Sequence, residues 1–503
     1  MGRLRFLSFQ NLLSMLRWPL GARRWRPAAL TCRVLRKSRF YSTNESVENV
    51  QVQCASAGEI TVSLHNIAKH ASTKPLVIVI PPIPHTGGEP HSSLPRWLRE
   101  FPAAVINYRW NNVKDPEDKT PLRWPSPVHD LTFGYSWLSA NLGLRPEKKK
   151  HVFGRPAYVY GSYLGATLGA GLAFTEAHHP FLNLGQGGMT VRGLIAHNGI
   201  YNWPMFLPDH PIHSYKLKPP KHGIRPFYTN KVQSQRFELE EFDENTAFGF
   251  LYSQMPYLFP SPSNLFDPFA SPTLFFQNAP LHVPEDFFNP SRFNNLPAPP
   301  ALSSAVDNFL ADTMGIPEPQ PPQSDDPSSS QALSSKPLAE LTSQEIDVIL
   351  AQKTAEAMAS RRPRKGYLVF PSRKSTLRIP ETLLLFDSDD IPASGDEKRI
   401  PPRNSFKVQA IELAGLMRRS VSMFECQTLA KEGDEEFAEP EARDREALRR
   451  VKTMELSAQV KEQEEDDIGE WGLRGSEEAL AVKWLKGAIR EDEDWMEDKR
   501  ARS

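Results

Sequence analysis

The chain has 503 residues, enough for one large domain with tails or for two or three smaller ones. Hydrophobic residues make up only 39%, and 46 prolines stand against 28 glycines, so roughly 300 residues of folded core with long turns and linkers are expected. Formal net charge is zero, which excludes a global charge argument for a nucleic-acid partner, and the scattered Cys32, Cys54 and Cys426 exclude a disulfide framework or a CxxC metal knuckle.

Charge is unevenly placed. Residues 1–44 carry nine arginines, one lysine and no acid, with Leu4, Leu7, Leu12, Leu13 and Leu16 near helical spacing. A positive amphipathic helix of this kind has the properties of a mitochondrial transit peptide. Arg39-Phe40-Tyr41-Ser42-Thr43 resembles a matrix-peptidase site, so residues 1–41 are read as an address to the mitochondrial matrix. The alternative is a basic tail that binds nucleic acid or membrane nonspecifically. At the other end, residues 431–503 hold 23 acids and 14 basic residues.

Ile60–Leu64 reads as an opening strand. Leu76–Ile80 is a continuous apolar run stopped by Pro81-Pro82, the pattern of a strand buried on both faces of a parallel sheet. Further strands are expected at Ala103–Tyr108, Ala157–Tyr160, Val191–Ala196 and Thr273–Phe276. Helices are expected at Val128–Leu142, closed by Gly143, and at Leu164–Ala177. Alternating strands and helices predict an α/β fold with a mostly parallel sheet and flanking helices. Ala157–Phe174 is uncharged, but its four glycines and β-rich front half read as strand–turn–helix, so no transmembrane helix is predicted.

The rest of the chain sets the domain reading. A domain over 42–316 carries a cap at about 202–267, rich in Pro, Phe and Tyr. Residues 317–340 form a Pro/Ser-rich linker expected to be disordered. Residues 341–425 return to the domain with a capping box at Thr342-Ser343-Gln344-Glu345, a helix to about Ser360, a last strand at Gly366–Phe370 paired with Glu381–Phe386, and a helix at Ser405–Val421. Residues 426–503 form an acidic, partly helical tail, with Leu480, Trp484 and Leu485 on a helix over Glu477–Ile489. That helix has two readings, a solvated low-complexity tail or a partner-binding segment.

Several landmarks in order resemble the hormone-sensitive-lipase-like branch of the α/β-hydrolases. They are Leu76–Ile80 followed by His85-Thr86-Gly87-Gly88, then Asn107-Tyr108-Arg109, Trp124-Pro125-Ser126-Pro127-Val128-His129-Asp130, Gly161-Ser162-Tyr163-Leu164-Gly165, and Asp267-Pro268-Phe269-Ala270-Ser271-Pro272. The resemblance covers roughly residues 55–310, with a weaker stretch near 340–420. It implies an α/β-hydrolase fold, an oxyanion loop at Gly87 and Gly88, and a nucleophile elbow at Gly161–Gly165.

The resemblance also implies a serine in the middle of the elbow, an acid after a later strand and a histidine after the last one. Here the elbow position is Tyr163, with Ser162 one place early. The acid position falls on Ala279, beside Asn278. No histidine follows His282, and Lys374 or Ser375 takes the approximate place of the base. Without an imidazole no group with a pKa near 7 stands there to move the proton. His85 and His197 fall near strand ends and read as partly buried histidines satisfied by backbone groups, while His178-His179 suits a helix C-terminus.

Neither a P-loop ending, nor metal-ligand spacing, nor an aromatic-plus-basic RNA platform occurs, so no cofactor, no metal and no nucleic acid are expected. The expected function is a mitochondrial hydrolase-fold protein without Ser-His-Asp chemistry, binding a small ligand or a mitochondrial protein. Two rivals stand beside it. One is an active carboxylesterase or lipase-like enzyme with an atypical nucleophile, the other a scaffold or assembly factor of a mitochondrial complex.

Overall fold

Leu76-Val77-Ile78-Val79-Ile80 carries apolar side chains on both faces of the pleat, and such a strand is stable only between two covering layers. In the computed structural model it is strand β3 (Leu76–Ile80), buried throughout within an eight-stranded sheet. The chain divides into Met1–Asn44 and Glu45–Ser503. The structure describes residues 47–55, 58–82, 94–110, 122–144, 154–179, 188–213, 246–289, 363, 365–388, 404–431, 433, 435–456, 473 and 475–502, all in the second unit.

The other strands are β1 (Val47–Gln53), β2 (Glu59–His65), β4 (Ala103–Asn107), β5 (Arg155–Ser162), β6 (Met189–His197), β7 (Glu381–Asp387) and β8 (Val451–Leu456). Their order is β1-β2-β4-β3-β5-β6-β7-β8. The first two pairings are antiparallel and the remaining five parallel. The helices are α1 (Ser126–Leu142), α2 (Leu164–Glu176), α3 (Ala247–Leu258), α4 (Phe406–Ser420), α5 (Gln427–Lys431), α6 (Pro440–Arg450) and α7 (Gly475–Arg502). A π-helical turn, Val421–Cys426, joins α4 to α5. Ser405 caps α4, its hydroxyl accepting from the Val408 N–H.

Leu76, Ile78 and Ile80 face one apolar layer, with Leu131 and Leu138 of α1, Ala166 and Leu172 of α2, and Leu413 of α4. Val77 and Val79 face the other, with Trp97, Leu98 and the α7 residues Ala481, Leu485 and Ala488. The spacing of those three α7 residues makes one apolar stripe along the helix.

Three sequence expectations change. Thr273–Phe276 is not a strand: Thr273–Phe275 lie in a 3-10 turn, Pro272–Phe275, capped by Phe276, and Pro272 fixes φ and offers no N–H to a ladder. Gly366–Phe370 does not pair with Glu381–Phe386. Tyr367 instead bridges Gln277, and Glu381–Asp387 is β7, parallel to β6. Within 426–503, expected as a tail, Val451–Leu456 is the eighth strand and α7 covers one face of the sheet. Residues 1–41, the 317–340 linker, the helix expected from Thr342 to Ser360, and 214–245 of the expected cap lie outside the described residues. Among the described residues no helix is long and apolar enough to cross a membrane.

Candidate active site

Strand β5 ends at Ser162 and α2 begins at Leu164, so the chain reverses direction within Tyr163. Tyr163 does this at φ 50 and ψ −117, a conformation that costs a non-glycine residue about 1–3 kcal/mol and persists only where the surroundings hold it. Its N–H donates to the His197 carbonyl at 2.9 Å. Its ring packs edge-on against His197 and Phe406, with centroids 5.9 and 5.8 Å apart.

The flanking glycines have a steric reason. A Cβ on Gly161 would stand 2.3 Å from the Gly165 carbonyl oxygen, and one on Gly165 would stand 2.4 Å from the carbonyls of both Ile80 and Pro81. Two glycines therefore let the turn close and let α2 begin directly against the end of β3. Ser162 belongs to the strand rather than the turn. It is fully buried opposite His197 in the β5–β6 ladder.

Several of the landmarks that carry the resemblance are joined by hydrogen bonds. Arg109 binds Asp130 through its backbone N–H at 2.8 Å, Nε at 3.0 Å and Nη2 at 2.6 Å. This bidentate pair joins the segment just after β4 to the N-terminal part of α1, and the Asp130 bond raises the Arg109 pKa. Trp124 Nε1 donates to Asp267 Oδ2 at 3.0 Å, and Ser271 Oγ donates to the Leu265 carbonyl at 2.6 Å. Burial first, then the Asp130 charge, pushes the nearby Cys54 thiol up to about 12, so it stays protonated at neutral pH.

Sequence reasoning missed one pair. His197, at the C-terminal end of β6, is fully buried, and its Nε2 lies 3.1 Å from Asp387 Oδ1, at the end of β7. Asp387 Oδ2 also accepts from Asn198 Nδ2 at 2.9 Å, while the Asp387 N–H donates to Asn198 Oδ1 at 3.0 Å. His197 is thus satisfied on one nitrogen by a carboxylate rather than by backbone, and its Nδ1 is buried with no hydrogen-bond partner. The signal was present in Thr382-Leu383-Leu384-Leu385-Phe386-Asp387, an apolar run like Leu76–Ile80 that ends on an acid.

The remaining expected residues fall as follows. Ala279 follows a 3-10 turn, and the residue that closes β7 is Asp387. Lys374 and Ser375 lie in the turn between Phe370 and β7 rather than after the last strand, which ends at Leu456. His178 Nδ1 contacts Thr376 Oγ1 at 2.8 Å, at the far end of α2. His85, Gly87 and Gly88 lie outside the described residues. Among the described residues no group of three or more His, Cys, Asp or Glu could hold a metal ion.

No family model matches the sequence, and no curated protein matches it. Among solved structures, an esterase of the archaeon Pyrobaculum calidifontis is 16% identical over 45% of this chain and 60% of its own, with a TM-score of 0.27. A carboxyl esterase of the fungus Tuber melanosporum is 10% identical over 88% of both chains, with a TM-score of 0.37. A bacterial heroin esterase is 19% identical over 33% of this chain and 49% of its own, with a TM-score of 0.23. This chain thus spans less than two thirds of the length of the archaeal esterase. The strand order, the parallel pairing from β4 to β8 and the glycine-flanked turn after β5 define an α/β-hydrolase-like fold.

Proposed function

We propose that this protein is a mitochondrial member of the α/β-hydrolase fold that binds a ligand or a protein without Ser-His-Asp hydrolysis. The observation that carries the reading is Tyr163 in the positive-φ turn between β5 and α2, where an acyl-transfer enzyme of this fold needs a small nucleophile. Two further features support it. No histidine follows β8 to act as the base, and the buried His197 Nδ1 makes no bond through which it could take a proton.

A second reading, an ester hydrolase with an atypical nucleophile, is favoured by one arrangement, the Tyr163 ring against a histidine paired with Asp387. The two readings separate in one experiment. The full-length chain is treated with a fluorophosphonate probe and with short p-nitrophenyl esters. The non-catalytic reading expects no covalent labelling and background turnover. Labelling of Ser162 or Tyr163, abolished by alanine at that position, would establish the second reading instead. Shortening near Tyr41 on import into isolated mitochondria tests the address.

A further inference from the structure

At the opposite end of the sheet from Tyr163, where β6, β7 and β8 enter it, basic side chains gather from four segments. Arg192 lies early in β6, Arg378 just before β7, Arg450 at the end of α6 just before β8, and His179 just after α2. The ladders pair Gly193 with Glu381 and Thr382 with Val451, so Arg192, the entry of β7 and Arg450 stand level across three neighbouring strands.

A β-bulge sets the position of Arg192. Ala157 pairs with Val191 and Tyr158 with Gly193, which leaves Arg192 as the extra residue. The bulge puts two successive residues on the α7 side. A Cβ on Gly193 would meet the Tyr158 ring at 2.7 Å and Trp484 at 3.2 Å, and Arg192 lies toward Asp492 of α7.

The acids around this cluster have other partners. Arg450 is satisfied, with Nη1 on Glu425 and Nη2 on Glu446 at 3.0 Å. Glu381 pairs with Arg449 at 3.2 Å. Glu425 also accepts from the Ile379 N–H at 2.5 Å. Asp492 accepts from the Tyr158 hydroxyl at 3.0 Å and comes no nearer to Arg192 Nε than 3.9 Å, too far for a hydrogen bond.

Two guanidiniums keep a buried Nε with no hydrogen-bond partner. One is that of Arg192, which is 3% exposed, and the other is that of Arg378. Burial, then the charges of Arg450 and Arg192, pull Arg378 down to about 10. A buried guanidinium N–H without an acceptor costs free energy that a bound oxyanion would recover, and the charges of Arg192 and Arg378 act on each other.

We propose that Arg192 and Arg378 form a binding site for a phosphate-class oxyanion. A guanidinium presents planar forked donors that match phosphate oxygens, and two such forks suit a dianion. Arg378 is partly exposed, so the site is reached from solvent on the Arg378 side. The site is separated from the elbow by the length of the strands and does not depend on hydrolase chemistry.

Thermal unfolding of the full-length protein tests this, with inorganic phosphate, phenyl phosphate, acetate and chloride at matched ionic strength. Phosphate at millimolar concentration is expected to raise Tm saturably by about 3 °C or more, with acetate and chloride giving under about 1 °C. A larger shift with phenyl phosphate than with phosphate assigns the site to phosphorylated organic molecules, and an equal shift assigns it to the free anion. Arg192→Met and Arg378→Met are each expected to raise Tm without phosphate and to abolish the phosphate shift, while Arg378→Lys keeps part of it. The proposal is overturned if phosphate acts no better than acetate. It is also overturned if the shift persists in both methionine variants, or if those variants are less stable without phosphate, which would make the arginines structural.

Discussion

His197 Nε2 stands 3.1 Å from Asp387 Oδ1, joining the C-terminal ends of β6 and β7 beneath the Tyr163 ring. The carboxylate serves Asn198 as well, so it ties together three groups at the point where two strands separated by a long insertion meet. Asp387→Ala removes all the carboxylate bonds and leaves His197 buried with no side-chain acceptor. A loss of about 1–3 kcal/mol is expected in urea unfolding. An unchanged midpoint would show that the pair contributes nothing to the fold.

The elbow glycines give a sharper contrast. Gly165→Ala drives a Cβ to within 2.4 Å of two carbonyl oxygens, neither of which can move without displacing β3. A loss of about 3 kcal/mol or more, or failure to fold, is expected. Gly415 lies exposed inside α4 with nothing within 4 Å of its missing Cβ, so Gly415→Ala should stabilise by about 0.5–1 kcal/mol. Melting curves of the two variants should therefore move in opposite directions.

Tyr163→Ser restores the hydroxyl that the turn holds in an acyl-transfer enzyme but supplies no base. Ester turnover is expected to stay at background. A rise of more than about tenfold in p-nitrophenyl acetate hydrolysis would show that a proton acceptor stands within reach, with His197 the first residue to replace.

Two groups near the end of α2 give the stability–pH curve two arms. Burial raises Glu176 from 4.5 to about 7, so the folded state holds its proton more tightly. Its contribution is full below about 4.5 and lost as pH rises through about 7. His179 is lowered from 6.5 to about 4, by burial first and then by Arg378, Arg192 and Arg450. Its contribution is full above about 6.5 and lost as pH falls towards 4. Glu176→Gln should flatten the fall between 4.5 and 7, and His179→Gln the fall on the acid side, in Tm measured from pH 4 to 8.

Leu485 of α7 is fully buried against the sheet, whereas Leu480 on the same helix is 40% exposed. Leu485→Ala should cost about 2–5 kcal/mol and Leu480→Ala less than about 0.5 kcal/mol. Equal, small effects would mean that α7 is not docked on the sheet in solution.

The half of the sheet from β2 to β6 was legible in the sequence because its central strands are unbroken apolar runs, and because glycines at 161 and 165 mark a turn that only they allow. The seventh strand was expected at Glu381–Phe386 but with the wrong partner, and a false strand stood ahead of it for a local reason. Thr273-Leu274-Phe275-Phe276 has strand composition, but Pro272 starts a 3-10 turn and the next true strand lies beyond Ile379. The eighth was hidden by its surroundings, since Val451-Lys452-Thr453-Met454-Glu455-Leu456 carries charge on an edge of the sheet and sits among acidic residues. The acid position falls on Ala279 in the sequence because Thr273–Phe276 reads there as the strand before it. For the His197–Asp387 pair the sequence offered only an apolar run ending on an acid, because β6–β7 pairing alone brings residues 190 positions apart into contact.

That pairing bears on the order in which the chain can fold during synthesis. Strands β1 to β6 lie within the first 197 residues, but β6 meets its neighbour only when residue 381 and those after it have emerged. At about 5–20 residues per second, β6 waits on the order of ten seconds or more as an apolar edge with an open hydrogen-bonding side. One face of the early sheet waits longer still for α7, which spans Gly475–Arg502. A nascent chain stalled before residue 381 would thus be a target for chaperones, and truncations there should aggregate.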